Sequence, residues 1–176
     1  MTEKKSQETT LILGIGNIVM SDEGFGVHVV RQLKEMKYTT DVRIEEGGVG
    51  GFNLLGSLEG IERLIVVDVM MADIEPGEVL FFKPGPDFGE PGKNMISFHQ
   101  VGVLELVKMR KILGYELEVY FLVTRPEKLA WGMELSPPTK SAADKAVQFL
   151  RQLLRDNFSI PERSISSCSL QLLSSL

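Results

Sequence analysis

Two carboxylates and an imidazole, Glu23, Asp68 and His99, are the groups in this chain whose types could do chemistry together. Oxygen and imidazole-nitrogen donors in this proportion suit a divalent first-row transition metal. Glu23 and Asp68 lie 45 positions apart, and Asp68 and His99 lie 31 apart, so no local motif joins them. Position is what they share. Glu23 follows the first apolar run across a glycine turn, Asp68 sits near the carboxyl end of the most apolar run, LIVVDVMM, and His99 opens a helical pattern. A carboxylate buried in such a run is costly unless a cation or N–H donors meet it, so Asp68 requires a partner.

Each residue also has a plainer reading. Glu23 can be a helix-dipole partner, Asp68 a structural carboxylate bonded to a neighbouring loop, and His99 a helix-opening residue with no ligand role. His28, five positions after Glu23, reads as a packing or surface residue.

The three converge only if the elements carrying them share one rim. TLILGIG (10–16) is short, apolar and closed by glycines, as a buried strand is. The run Gly14-Ile15-Gly16 opens like a nucleotide-binding loop, but Val19 stands where a third glycine would let a helix approach a phosphate, and Asp22 and Glu23 follow. Residues 23–36 repeat apolar side chains at helical spacing, with Asp22 expected as the N-cap. Strands are expected at 41–47, 63–70, 75–82 and 116–124, a short helix near 52–58, and longer helices at 99–113 and 138–155. Residues 83–95 are a Pro/Gly-rich loop, either a connector or an element that embraces a substrate. This alternation predicts a single-domain α/β sandwich: a twisted, mainly parallel sheet flanked by helices on both faces. The boundaries are a polar arm over 1–9, the α/β domain over 10–156 and a flexible tail over 157–176. In such a fold the working face lies at the carboxyl ends of the strands, where Glu23, Asp68 and His99 would meet.

Composition narrows the function. The net charge of −5 and the scattered Lys and Arg argue against a nucleic-acid partner. No apolar stretch is long enough for membrane insertion. The N-terminus MTEKKSQETT lacks the apolar core of a signal peptide, and the lone Cys168 permits no intrachain disulfide and no thiolate cluster. A cytoplasmic protein is expected.

The segments GIGNIVMSDEGFGVHVV, VVDVMMADIEPGEV and SFHQVGVLELV, followed by WGMELSP at 131–137, together resemble the [NiFe]-hydrogenase maturation proteases over about residues 10 to 155. The resemblance implies a cytoplasmic endopeptidase that removes the C-terminal extension of a [NiFe]-hydrogenase large-subunit precursor after nickel insertion. It places the family's metal contacts on Glu23, Asp68 and His99, with nickel carried by the substrate and no tightly held cofactor required. It also draws attention to Glu46-Gly47-Gly48, where the family often has Asp in the first position. Glu46 keeps the carboxylate one methylene further out.

Two chemical routes stay open. Water can attack a metal-polarised carbonyl with Asp68 or Glu23 as general base, or an aspartic-type, carboxylate-only mechanism can employ Glu46. Cys168, in the tail with no histidine nearby in sequence, is no candidate nucleophile. The competing classes are a non-catalytic chaperone that binds a metal or the large subunit, and a Rossmann-type nucleotide-binding domain. The missing third glycine counts against the latter.

Overall fold

The computed structural model describes residues 9–35, 42–49, 54–85, 88, 98–156 and 171–172. Among the described residues six strands build one sheet: β1 (Thr10–Ile15), β2 (Val42–Gly48), β3 (Arg63–Val69), β4 (Val79–Phe82), β5 (Glu118–Thr124) and β6 (Gln171–Leu172). Their spatial order is β2-β1-β3-β5-β4-β6. The first four positions in that order are parallel, while β4 runs antiparallel to β5 and to β6. The expected mainly parallel sheet is therefore present.

Helices cover both faces. On one side α1 (Phe25–Lys34) and α3 (Pro137–Arg155) press Phe25, Val29, Leu33, Ala146 and Leu150 onto Ile12, Ile65, Val67 and Leu122. On the other, α2 (Phe98–Ile112) brings Val103 and Leu106 onto Leu11, Leu13, Leu64, Val66 and Phe121. β3 is central, and from Leu64 to Val69 every residue is buried. That is why it reads as a continuous apolar run rather than an alternating one.

The expected strand at 75–82 forms only from Val79, because Glu75–Glu78 make a turn in which Gly77 adopts φ +93°. The short helix near 52–58 is a 3-10 turn, Gly56–Leu58, with residues 50–53 outside the described set. Of the 83–95 loop, residues 83–85 and Phe88 are described. The Phe88 ring lies 5.4 Å from Phe82 and 5.2 Å from Phe121, centroid to centroid. Of the expected tail, Gln171–Leu172 are described, and they pair with Phe81 and Leu80.

Candidate active site

The carboxyl end of β1 turns sharply at Gly16, whose φ of +136° is open to glycine and strained for other residues. A Cβ at Gly16 would stand 1.8 Å from the Glu23 carbonyl oxygen. The glycine turn thus serves a close approach of the protein's own backbone: it lets the 3-10 helix Ser21–Gly24, which carries Glu23, pack against the end of β1. Gly26 repeats the device, since a Cβ there would meet the carbonyl oxygens of Val67 and Ile15 at 2.1 and 2.4 Å. The first turn of α1 therefore rests directly on β1 and β3, and the Glu23 side chain is left half-buried at the rim.

Asp22 corrects the expectation of an N-cap. Helix α1 begins at Phe25 with Gly24 in the cap position and no side-chain cap bond. The Asp22 carboxylate, fully buried, faces away from α1 and accepts from Glu127 N (2.9 Å), Lys128 N (2.7 Å), Ser136 N (2.7 Å) and Ser136 Oγ (2.8 Å). Burial pushes its pKa upward. The opposing hydrogen bonds, chiefly from Ser136 and Lys128, prevail and hold it below the ordinary aspartate value. The physical reason for the difference is geometric: a tight 3-10 turn at Ser21–Gly24 points the carboxylate at the 125–136 loop instead of at the next helical amides.

Asp68 is fully buried in β3 and accepts from the Val69 N–H at 2.8 Å. Its alternation with Leu64 and Val66 puts it on the α2 side of the sheet. On that side the first turn of α2 carries His99 and Gln100. Gln100 is fully buried, and its Nε2 donates to the Val69 carbonyl at 3.1 Å. His99 is partly buried, and its Nδ1 is buried with no hydrogen-bond partner among the described residues. A buried imidazole nitrogen in that condition has unused hydrogen-bonding or ligating capacity.

Glu46 occupies a different place. It is level with Gly14 in the β1–β2 register, and Gly14 is level with Val67, so Glu46 lies about one residue short of Asp68 along the strands. Its carboxylate turns to the α1 side, where Arg31 donates from Nε (3.1 Å) and Nη2 (3.0 Å) and Lys34 Nζ stands at 3.4 Å. The Arg31 hydrogen bond is the main reason its pKa falls below the usual glutamate value. Glu46 and Asp68 thus sit on opposite faces of the sheet. His28 is turned to the backbone of Met133, and burial, reinforced by Arg31, keeps its imidazole below the ordinary histidine value.

Among the described residues, no three His, Cys, Asp or Glu side chains stand close enough to hold a metal ion unaided. What the arrangement offers is a half-buried carboxylate, a buried carboxylate and an unpartnered imidazole nitrogen on elements that end at one rim. Sequence reasoning missed two supporting residues. Gln100 was visible only as the neighbour of His99. Ser136 is tied to Asp22 across 114 positions, a distance that no local pattern encodes.

Residues 27–152 match the family model described as hydrogenase maturation protease. The hydrogenase expression/formation protein HupD of Bradyrhizobium diazoefficiens is 31% identical over 159 residues, covering 89% of this chain and 83% of its own. Among solved structures, the hydrogenase maturating endopeptidase HybD from Escherichia coli superposes with a TM-score of 0.74 at 26% identity, covering 84% of this chain and 93% of that one. The [NiFe] hydrogenase maturation protease HybD from Thermococcus kodakarensis gives 0.71 at 29% identity, covering 83% and 99%. These likenesses cover most of the chain, and they set aside the nucleotide-binding and non-catalytic alternatives. The chain belongs to the hydrogenase maturation protease family and is an endopeptidase.

Proposed function

We propose that this endopeptidase removes the C-terminal extension of a [NiFe]-hydrogenase large-subunit precursor, and that it does so once nickel has been inserted. The observation that carries the nickel reading is the buried, unpartnered Nδ1 of His99 on the side of the sheet where Asp68 lies. Glu23, Asp68 and His99 are the proposed contacts to the metal. Nickel is cargo of the substrate: a site in which no described trio holds a metal unaided would not strip it from the precursor, but would engage it together with the precursor's own ligands. A precursor without nickel would bring no cation to the rim that carries the carboxylates of Glu23 and Asp68, which makes docking less favourable. The metal then acts as a checkpoint. A cytoplasmic location goes with this reading.

Hydrolysis requires water to attack the scissile carbonyl while a base takes its proton and the new amine leaves protonated. Asp68 is the proposed base, with Glu23 as the second carboxylate at the rim. Glu46, on the other face and paired with Arg31 and Lys34, is proposed to set charge at the rim rather than to attack.

The test is the intact mass of a nickel-loaded large-subunit precursor after incubation with a trace of the protein, beside a nickel-free precursor. Loss of a short C-terminal peptide from the loaded form alone is the expected result. His99→Ala and Asp68→Asn should each abolish that loss while keeping the native circular-dichroism spectrum. Full activity in both variants would remove the triad from the mechanism.

A further inference from the structure

The loop between β5 and α3 exposes three large apolar side chains within five residues. Leu129 is 52%, Trp131 82% and Met133 63% exposed. Val19, on the loop that follows β1, is 38% exposed and accepts from Gly132 N at 3.0 Å, which brings it beside the same segment. Isolated exposed apolar residues are ordinary on a protein surface. Four on two adjoining loop segments, next to a proposed active site, mark an interaction surface.

The loop is also fixed. Ser21 N donates to the Gly132 carbonyl at 2.7 Å, Asp22 N donates to Lys128 O at 3.2 Å, and the Asp22 carboxylate holds Glu127, Lys128 and Ser136. A tryptophan displayed on a backbone pinned from both sides loses little freedom when it binds, so its apolar area is available for association. The charges around it are lopsided. Glu127 and Glu134 are exposed on the loop itself, and Asp73 and Glu75 are exposed on the β3–β4 loop, which meets the start of that loop at Arg125. Of the cations in these segments, Lys128 is exposed, whereas Arg125 is committed to the Ile74 carbonyl at 3.1 Å. An apolar centre with an acidic surround is complementary to an apolar protein surface flanked by Lys or Arg.

We propose that Leu129, Trp131 and Met133, with Val19, form the docking surface for the folded body of the protein substrate, at an apolar patch on it edged by basic side chains. This rests on the reading of the substrate as a large-subunit precursor. It adds that recognition extends beyond the metal and the severed peptide to a separate surface centred on Trp131. Docking there holds the precursor while Glu23, Asp68 and His99 test its metal.

The experiment uses the full chain and measures two quantities for wild type, Trp131→Ala and Glu127→Lys/Glu134→Lys. One is the steady-state cleavage of nickel-loaded precursor. The other is calorimetric affinity for that precursor, which does not depend on cleavage. Trp131→Ala should raise KM and weaken affinity by about tenfold or more, with kcat and the melting temperature unchanged, as for a hot-spot truncation. The double charge reversal should also weaken affinity, and wild-type binding should weaken with added salt. Unchanged KM and affinity in Trp131→Ala, with the wild type cleaving normally, would overturn the docking surface and leave the protease reading intact. A wild type that binds the precursor through Trp131 without cutting it would support the surface and sink the proposed reaction. Conversion of a wild-type dimer to a monomer by Trp131→Ala, with precursor affinity unaltered, would assign the patch to a second copy of this chain and overturn the proposal. A wild type that neither binds nor cleaves any precursor would overturn both.

Discussion

The side-chain amide of Gln100 donates to the carbonyl of Val69 across 3.1 Å, joining the first turn of α2 to the last residue of β3. Each partner has a proposed site residue as its immediate predecessor in sequence, His99 in one case and Asp68 in the other. The Val69 N–H closes the link by donating to Asp68 Oδ1 at 2.8 Å. The elements bearing the imidazole and the carboxylate are therefore tied together by a bond between their neighbours. Gln100→Leu keeps the bulk and removes the donor. A loss of about 1–3 kcal/mol in urea unfolding is expected for a buried amide hydrogen bond. In cleavage assays kcat should fall more than KM rises, because the defect is in alignment rather than in docking.

Asp22 predicts a particular response to acid. Its pKa in the folded protein lies below the ordinary value, so the unfolded chain takes up this proton first as pH falls. The stabilisation from Asp22 is complete above the unfolded-state pKa of about 3.9 and is lost as pH drops through the lower folded value. Asp22→Asn replaces an acceptor-only carboxylate with an amide that presents N–H to N–H, and at neutral pH this should cost about 1–3 kcal/mol. Thermal melts between neutral and strongly acidic pH should show the gap between wild type and variant closing below the unfolded-state pKa. A constant gap would mean that the carboxylate charge is not what holds the loop.

For Glu46 the expectation is a mild effect. Arg31 and Lys34 meet it at the surface, with all three side chains about a third to a half exposed (33, 49 and 40%), so Glu46→Gln should cost less than about 1 kcal/mol and less still in high salt. Cleavage should persist in this variant while it disappears in Asp68→Asn. Abolished cleavage in a folded Glu46→Gln protein would instead favour the carboxylate-only route.

Gly16→Ala should be far more damaging. The new Cβ would collide with the Glu23 carbonyl oxygen and the φ of +136° would be strained, two penalties of about 1–3 kcal/mol each. Differential scanning calorimetry should report a large fall in melting temperature, and the residual folded protein should cleave poorly because Glu23 is displaced.

The fold was largely legible because burial imposes visible periods. β3 is apolar throughout because both its faces are covered, and α1 carries its stripe because only one face is. Three proposed site residues could be singled out because strand ends are readable. Which face each carboxylate takes was less accessible. Asp68 alternates with Leu64 and Val66, but only the positions of α2 and α1 tell that Asp68 looks toward one helix and Glu46 toward the other. The role of Asp22 was misread for a related reason. Its local context is that of a helix cap, whereas its partners lie 105 to 114 positions downstream. Hydrogen bonds of that span leave no periodic trace in the chain.

That span has a consequence for biosynthesis. The segment bearing Glu23 is locked only when Asp22 can close on Glu127, Lys128 and Ser136. At about 5–20 residues per second, a ribosome needs on the order of ten seconds to travel from one to the other. During that interval Glu23, Asp68 and His99 are synthesised in turn, while the segment of Glu23 still lacks the Asp22 bonds to the 127–136 loop. A nascent chain, or one truncated before Ser136, carries every proposed metal contact and still lacks the bonds that fix the segment of Glu23, so the proposed rim is complete only when the last helix begins.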